Sequence, residues 1–526
     1  MKSRVLILAL LFTAGIFFSC SEHDEQEDLV NSPEYNMLKA DDKTSAIWSV
    51  NILDVLEKSS IKELDLGMAG LIVQGLLTKL SDTAEGGVDF SHNSYVSIKH
   101  DPNYNFDYSF TYYPVVDRAK VYATLRSTIG FINSGKHGSD GLYDTFTSTS
   151  GTVAAWDDHH VVIVFSESDR REQDLLRLAT ETLDNRYVDA PEDENVRVFL
   201  KSKDDFSCYI DLGKSIKMYQ EIGQMAVNDD LVAAYQGGYI TGHGNFNEGE
   251  MIFSVDVNAK NLRESQFNIF QEEGVSRDMV EFVTTEQSIN VSGANLKVEN
   301  LLELLKNVEL EEGNLGGLLK NFGIQMEDLQ QLLSGEIALS IINLKTEDTQ
   351  ADFDFFEEDS YSGMLDDLNI KPEMIIGLRL AEGQLLADFM EEEVPGIKSK
   401  GGVYELADCF IAESQGKIIL TENIDLAKKV ASGAKLYEGG LVISDNDIQG
   451  PLFGHFNTNY KTYTNDVIAL LNDRLTESGL GKLWMAEKIS VSGNFNHFDL
   501  QIVMKDKSKN SLGTFVDSIY SALFGF

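Results

Sequence analysis

Gly244-Asn245-Phe246-Asn247 and Gly493-Asn494-Phe495-Asn496 are the same four residues met twice in one chain, 249 positions apart. After the first, Met251, Phe253 and Val255 alternate with Ile252, Ser254 and Asp256. After the second, Leu500, Ile502 and Met504 alternate with Gln501, Val503 and Lys505. A period of two is the signature of a strand with unlike faces. Upstream, Ile240 answers Ile489; downstream, Lys260-Asn261 answers Lys509-Asn510. Each copy therefore reads as a β-hairpin in the same register, turning at Asn247-Glu248-Gly249 or around Asn496-His497.

Working outward, residues 298–306 read like 50–58, 338–341 like 95–98 and 373–379 like 107–113. The offset between the last two pairs jumps, which places an insertion of about two dozen residues in the second copy, between Asn343 and Lys371. The apolar runs 161–166 and 417–422 each precede a helical pattern. In the first, Leu175, Ala179 and Leu183 mark one face; the second is stopped at Gly433. Helices fall between hairpins and not after every strand. That favours an α+β fold of two tandem duplicated modules, each a mainly antiparallel sheet with packed helices. A doubly wound parallel sheet is the alternative. The expected layout is a signal peptide at 1–19, an acidic tether at 20–44, module 1 at 45–275 and module 2 at 285–526 with its insertion at 344–370.

The chain has 526 residues and a formal charge of −42, with no basic run anywhere. Binding nucleic acid requires clustered Lys and Arg to neutralise phosphates, so nucleic acid is not an expected partner. At the N-terminus, Lys2 and Arg4 precede an apolar run, residues 5–18. Fourteen residues fall short of the roughly 20 that span a bilayer and suit a secretory signal. The run ends Phe17-Phe18-Ser19-Cys20, a cysteine after a small residue, which looks like a bacterial lipoprotein cleavage box with Cys20 as the lipidation site. Residues 21–44 are polar and acidic, with too little apolar surface to fold; as a flexible tether they reach about 25–30 Å. Ser21 followed by Glu22, Asp24 and Glu25 looks like the acidic surface-export signal of Bacteroidota lipoproteins. A solvated tether facing the periplasm is the alternative.

The Ser19-Cys20 start, the acidic tether and the opening at 45–58 together resemble a family of Bacteroidota envelope lipoproteins of about 500 residues and unknown function. The resemblance implies an outer-membrane lipoprotein, displayed at the cell surface or facing the periplasm, and carries no catalytic residues with it.

No HExxH, GxSxG or P-loop occurs, and Gly242-His243-Gly244 lacks the third glycine of a dinucleotide loop, so no catalytic site, cofactor or metal is expected. Asp157-Asp158-His159-His160 is the densest set of metal-ligand types, but by the repeat alignment it is a hairpin turn, and adjacent strand residues point to opposite faces, so four consecutive ligands rarely converge. Cys208 and Cys409 lie in apolar strand-like runs, where a disulfide and two buried thiols are both chemically reasonable. The insertion alternates acids with rings. Phe353, Phe355, Phe356, Glu357, Glu358, Asp359 and Tyr361 make a candidate binding loop, because exposed rings carry binding energy well while acids keep them soluble. The function expected is a lipid-anchored envelope protein with a binding or structural role toward an envelope protein or glycan. An extracellular hydrolase is second and a lipid-binding carrier third; the ligand and the oligomeric state stay open.

Overall fold

A computed structural model describes residues 33–39, 44–60, 86–91, 93–101, 106–128, 135–139, 141–148, 151–166, 172–188, 193–221, 229–307, 326–346, 370–394, 397, 399–406, 409–437, 443, 448, 450–457, 486–514 and 516. The chain is α+β, and its strand pairings are antiparallel in every ladder described. It divides into two compact units, Met1–Asn261 with Asp506–Ser518, and Leu262–Lys505 with Ile519–Phe526. The boundary falls just after the first hairpin, and a C-terminal segment returns to the N-terminal unit.

Unit 1 holds β1 (Thr44–Val50), β2 (Ser94–Asp101), β3 (Phe106–Pro114), β4 (Gly135–Ser139), β5 (Asp144–Ser148), β6 (Thr152–Trp156), β7 (His160–Phe165), β8 (Phe206–Asp211), β9 (Tyr239–Asn247) and β10 (Glu250–Asn258). They pair in the order β10-β9-β8-β1-β2-β3-β7-β6-β5-β4. The apolar runs of β6 and β7 serve both faces of the sheet. Val153 and Ala155 pack with Leu175, Ala179 and Leu183 of the helix Glu172–Asp184. Their neighbours Ala154 and Trp156 pack with Val121 and Leu125 of the helix Arg118–Thr128. Alternate residues of one strand thus enter two different cores, which is why the run shows no apolar–polar alternation.

Unit 2 holds β11 (Asn290–Asn295), β12 (Leu333–Thr346), β13 (Ile370–Leu380), β14 (Val403–Leu406), β15 (Cys409–Ser414), β16 (Lys417–Thr421), β17 (Leu452–Asn457), β18 (Ala486–Asn494) and β19 (His497–Met504). Their order is β19-β18-β17-β11-β12-β13-β16-β15-β14. Ala412 and Ile419 face Ala427 and Val430 of the helix Ile424–Ala431, while Ile411 and Ile418 face Leu386 and Met390 of the helix Leu386–Glu393. The helix Ile424–Ala431 starts on Asn423, whose side chain accepts from Asp425 N and Leu426 N. It ends where Gly433 takes φ +75°, with Gly433 N donating to Val430 O and Ala434 N to Lys429 O. These are the two bonds of a Schellman stop, at the glycine read from the sequence.

Both repeated stretches lie in hairpins, but not at the same place in them. In unit 1 Phe246 is inside β9, opposite Met251, and the turn is Glu248-Gly249, where Gly249 adopts φ +74°. In unit 2 the chain turns earlier, at Phe495-Asn496, with Asn494 opposite His497. The expected common register is therefore corrected. The cause is local: Asn494 Oδ1 accepts from Asn496 N and His497 N and closes its own turn, while the first copy runs on to a glycine that tolerates a positive φ.

Candidate functional site

Cys20 and the residues of the expected binding loop, Phe353, Phe355, Phe356, Glu357, Glu358, Asp359 and Tyr361, lie outside the described residues. The roots of that loop are placed: Thr346 at the end of β12 pairs with Ile370 at the start of β13, so the insertion leaves and re-enters the sheet at one point.

The densest polar arrangement in unit 1 surrounds the Gly244-Asn245-Phe246-Asn247 stretch. Phe246 bonds β10 through neither of its main-chain groups, because in an antiparallel pair alternate residues turn away from their partner strand. They point instead to where β8 would continue, but β8 begins only at Phe206, opposite Gly244. Side chains replace the missing ladder. Asp205 Oδ2 accepts from Phe246 N at 2.7 Å, and Asn510 Nδ2 donates to Phe246 O at 2.7 Å. Asp205 is almost wholly enclosed, and Lys58 Nζ reaches its other oxygen at 2.6 Å and Asp54 Oδ2 at 3.1 Å. Burial first, and then the neighbouring Asp54, push the Asp205 carboxyl up to about 6 against the pull of Lys58. Asp54 is lowered: burial opposes its charge, and the hydrogen bonds from Asp205 and Lys58 outweigh that.

Beside this trio, Asp204 accepts from Asn245 Nδ2 at 2.6 Å and from Ser202 Oγ, and its Oδ2 lies 2.7 Å from His243 Nδ1. Burial opposes the charge on Asp204, but these hydrogen bonds and His243 bring its carboxyl below the ordinary value. A carboxylate is an acceptor only, so His243 carries a proton on Nδ1, facing Asp204. Sequence reading passed over this cluster. Its signal was Asp204-Asp205 directly before an apolar strand and a histidine held between two glycines, Gly242-His243-Gly244. The glycines have packing causes: a Cβ on Gly242 would lie 2.6 Å from Cys208 Sγ, and one on Gly244 would lie 3.0 Å from the Phe253 ring.

Asp157-Asp158-His159-His160 is the turn between β6 and β7. Asp157 Oδ1 accepts from His159 N and His160 N, and Oδ2 pairs with the enclosed Arg186 at 2.7 Å, so the first carboxylate is spent on the turn and one guanidinium. No disulfide joins Cys208 and Cys409, which belong to different units. Among the described residues no group of three or more His, Cys, Asp or Glu is placed to hold a metal ion.

Unit 2 carries its own closed ion network. Arg379 bonds Glu336 through Nε and reaches Ser276 Oγ at 2.7 Å and Asp278 Oδ1 at 2.8 Å; Lys417 Nζ takes Asp278 Oδ2 at 2.7 Å. Glu336 also accepts from Ser276 N, at the head of the helix Arg277–Val283. Burial opposes the Asp278 charge, but the hydrogen bonds of Lys417 and Ser276 and the charges of Lys417 and Arg379 hold its carboxyl far below the usual range.

No family model matches this chain, and no curated protein matches it. Among solved structures, crystal form I of TP0453 aligns over 45% of this chain and 80% of its own, at 10% identity and a TM-score of 0.23. A likeness that slight shows neither a fold nor an activity for this chain.

Proposed function

We propose that this chain is an outer-membrane lipoprotein, anchored through acyl chains on Cys20, whose two units act as a binding or structural scaffold in the envelope. The observation that carries the reading is the N-terminal sequence, Lys2 and Arg4, the apolar run 5–18 and Ser19-Cys20, followed by an acidic tether. A single acyl chain binds a bilayer only marginally, and several chains on one cysteine supply the anchor. The polar clusters support a scaffold over a catalyst, since Asp204, Asp205, Asp278 and Glu336 are engaged by the protein's own amides, hydroxyls and cations.

The units descend, in this reading, from one duplicated module. Its support is the common strand order: β10-β9-β8-β1-β2-β3-β7-β6-β5 in unit 1 matches β19-β18-β17-β11-β12-β13-β16-β15-β14 in unit 2. The helices after β3 and β13, and those after β7 and β16, cover corresponding faces.

Metabolic labelling with a fatty acid, on wild type and Cys20→Ala, tests the anchor. Label on the wild type alone, and release of the variant from membranes, is the expected outcome. An unlabelled wild type, with a variant that still sediments with membranes, would refute it.

A further inference from the structure

Unit 1 is completed by residues from the far end of the chain. Gly249 N donates to Lys509 O at 2.9 Å, Glu248 and Asn510 form an antiparallel bridge, and Asn510 Nδ2 holds Phe246 O. Asn510 then opens a helical turn, its Oδ1 accepting from Leu512 N and its carbonyl from Thr514 N. That turn sets Leu512 and Val516 against Val50 and Val55, with Ile52, Phe206 and Phe246 around them. Gly513 lies so close that a Cβ there would be 3.0 Å from Lys58 O. These side chains form a small cluster of their own. Among the described residues, the main cores of the unit, around Ile47, Phe110 and Leu175 and around Phe146 and Trp156, contain none from the C-terminal segment.

We propose that Asp506–Thr514 with Val516 is a latch on unit 1: it closes one end of the sheet over Val50, Val55, Phe206 and Phe246, and it opens locally, without unfolding the sheet. The separation of the clusters is the physical reason. Among the described residues, opening costs one satellite cluster and the bonds at Glu248, Gly249 and the Phe246 carbonyl, and no contact in the two cores that hold β3, β6 and β7; such segments are the ones that open below the global unfolding free energy. An open latch presents an apolar patch rimmed by Lys58, Asp54 and Asp205.

Native-state hydrogen exchange on the full-length protein tests this, comparing wild type with Leu512→Ala/Val516→Ala and with Asn510→Ala. Exchange at Gly249, whose amide donates to Lys509 O, and in the helix Ile52–Lys58 should speed up by about tenfold or more in the double variant, the size that two truncated buried aliphatic chains imply. The amides of β3, β6 and β7, which exchange by global unfolding, should keep a larger opening free energy and a steeper denaturant dependence than Gly249, in the wild type and in both variants. An opening free energy and a denaturant slope at Gly249 equal to those of the strands of unit 1 would overturn the proposal, since the segment would then be part of the global core. Unchanged exchange at Gly249 would overturn it as well. If the double variant does not fold, Asn510→Ala, which removes a side-chain amide and no apolar contact, gives the same two readings on a smaller scale.

Discussion

Asp205 and Asn510, far apart in the chain, hold the two main-chain polar groups of one residue: Asp205 accepts from the amide of Phe246, and Asn510 donates to its carbonyl, each at 2.7 Å. Two side chains do there what a strand does elsewhere in the sheet. Removing Asp205 should cost more than removing Asn510. Asp205→Ala leaves the Phe246 amide without its acceptor and Lys58 without its enclosed partner, an expected loss of about 3 kcal/mol in unit 1. Asn510→Ala should cost about 1 kcal/mol. Calorimetry of the two variants, with hydrogen exchange to assign the transition to unit 1, checks the order.

Asp205 also predicts a pH dependence of unusual sign. A carboxyl whose folded pKa is raised from 3.8 to about 6 is bound to its proton more tightly in the folded state. Its contribution is therefore present at acid pH and is lost as the pH rises through about 6. Asp54, lowered from 3.8, acts with the opposite sign and only in the acid range below that value. Denaturation of unit 1 between pH 4 and pH 7, read as a midpoint, should show a falling limb that Asp205→Asn flattens.

Unit 2 should show the reverse. Asp278, held far below 3.8 by Lys417, Ser276 and Arg379 against the opposing effect of burial, contributes stability above that pH and loses it progressively as the pH falls through its lowered folded value. Asp278→Asn should remove this acid sensitivity. Arg379→Met should do more, because the nearly enclosed Glu336 loses its guanidinium, an expected cost of about 3 kcal/mol at neutral pH. Acid titrations of both variants, followed by hydrogen exchange in β12 and β13, separate the two effects.

Gly242→Ala should destabilise unit 1 by about 1–3 kcal/mol, since the new methyl meets Cys208 Sγ at 2.6 Å. Cys208→Ala on the same chain should restore most of the loss. A double-mutant cycle in denaturant measures the coupling, and simple additivity would mean that the strain lies elsewhere.

Replacing the insertion by a short connection should leave unit 2 folded, because Thr346 and Ile370 already pair and loop-closure entropy changes by only about 0.6 kcal/mol per doubling of length. Ala at Phe353, Phe355, Phe356 and Tyr361 should then abolish capture of an envelope partner with the melting temperature held. Loss of folding on shortening would instead assign those rings to the core.

The sequence by itself determined what short-range pattern and periodicity control. The hairpins at the two Gly-Asn-Phe-Asn stretches, the buried face Leu175, Ala179 and Leu183, and the stop at Gly433 all depend on residues a few positions apart, so they were legible. The tertiary structure alone decided the rest. The hairpin register depends on which residue satisfies its own turn, Gly249 by a positive φ or Asn494 by its side chain, and a shared four-residue string does not say which. The clusters at Asp205 and at Asp278 join carboxylates to cations far off in the chain, in a composition so acidic that no pairing stands out. The return of Asp506–Ser518 to unit 1 had no local signal either. It answers a geometric deficit, the carbonyl of Phe246 left bare where β8 begins too late, and that deficit exists only once the strands are side by side.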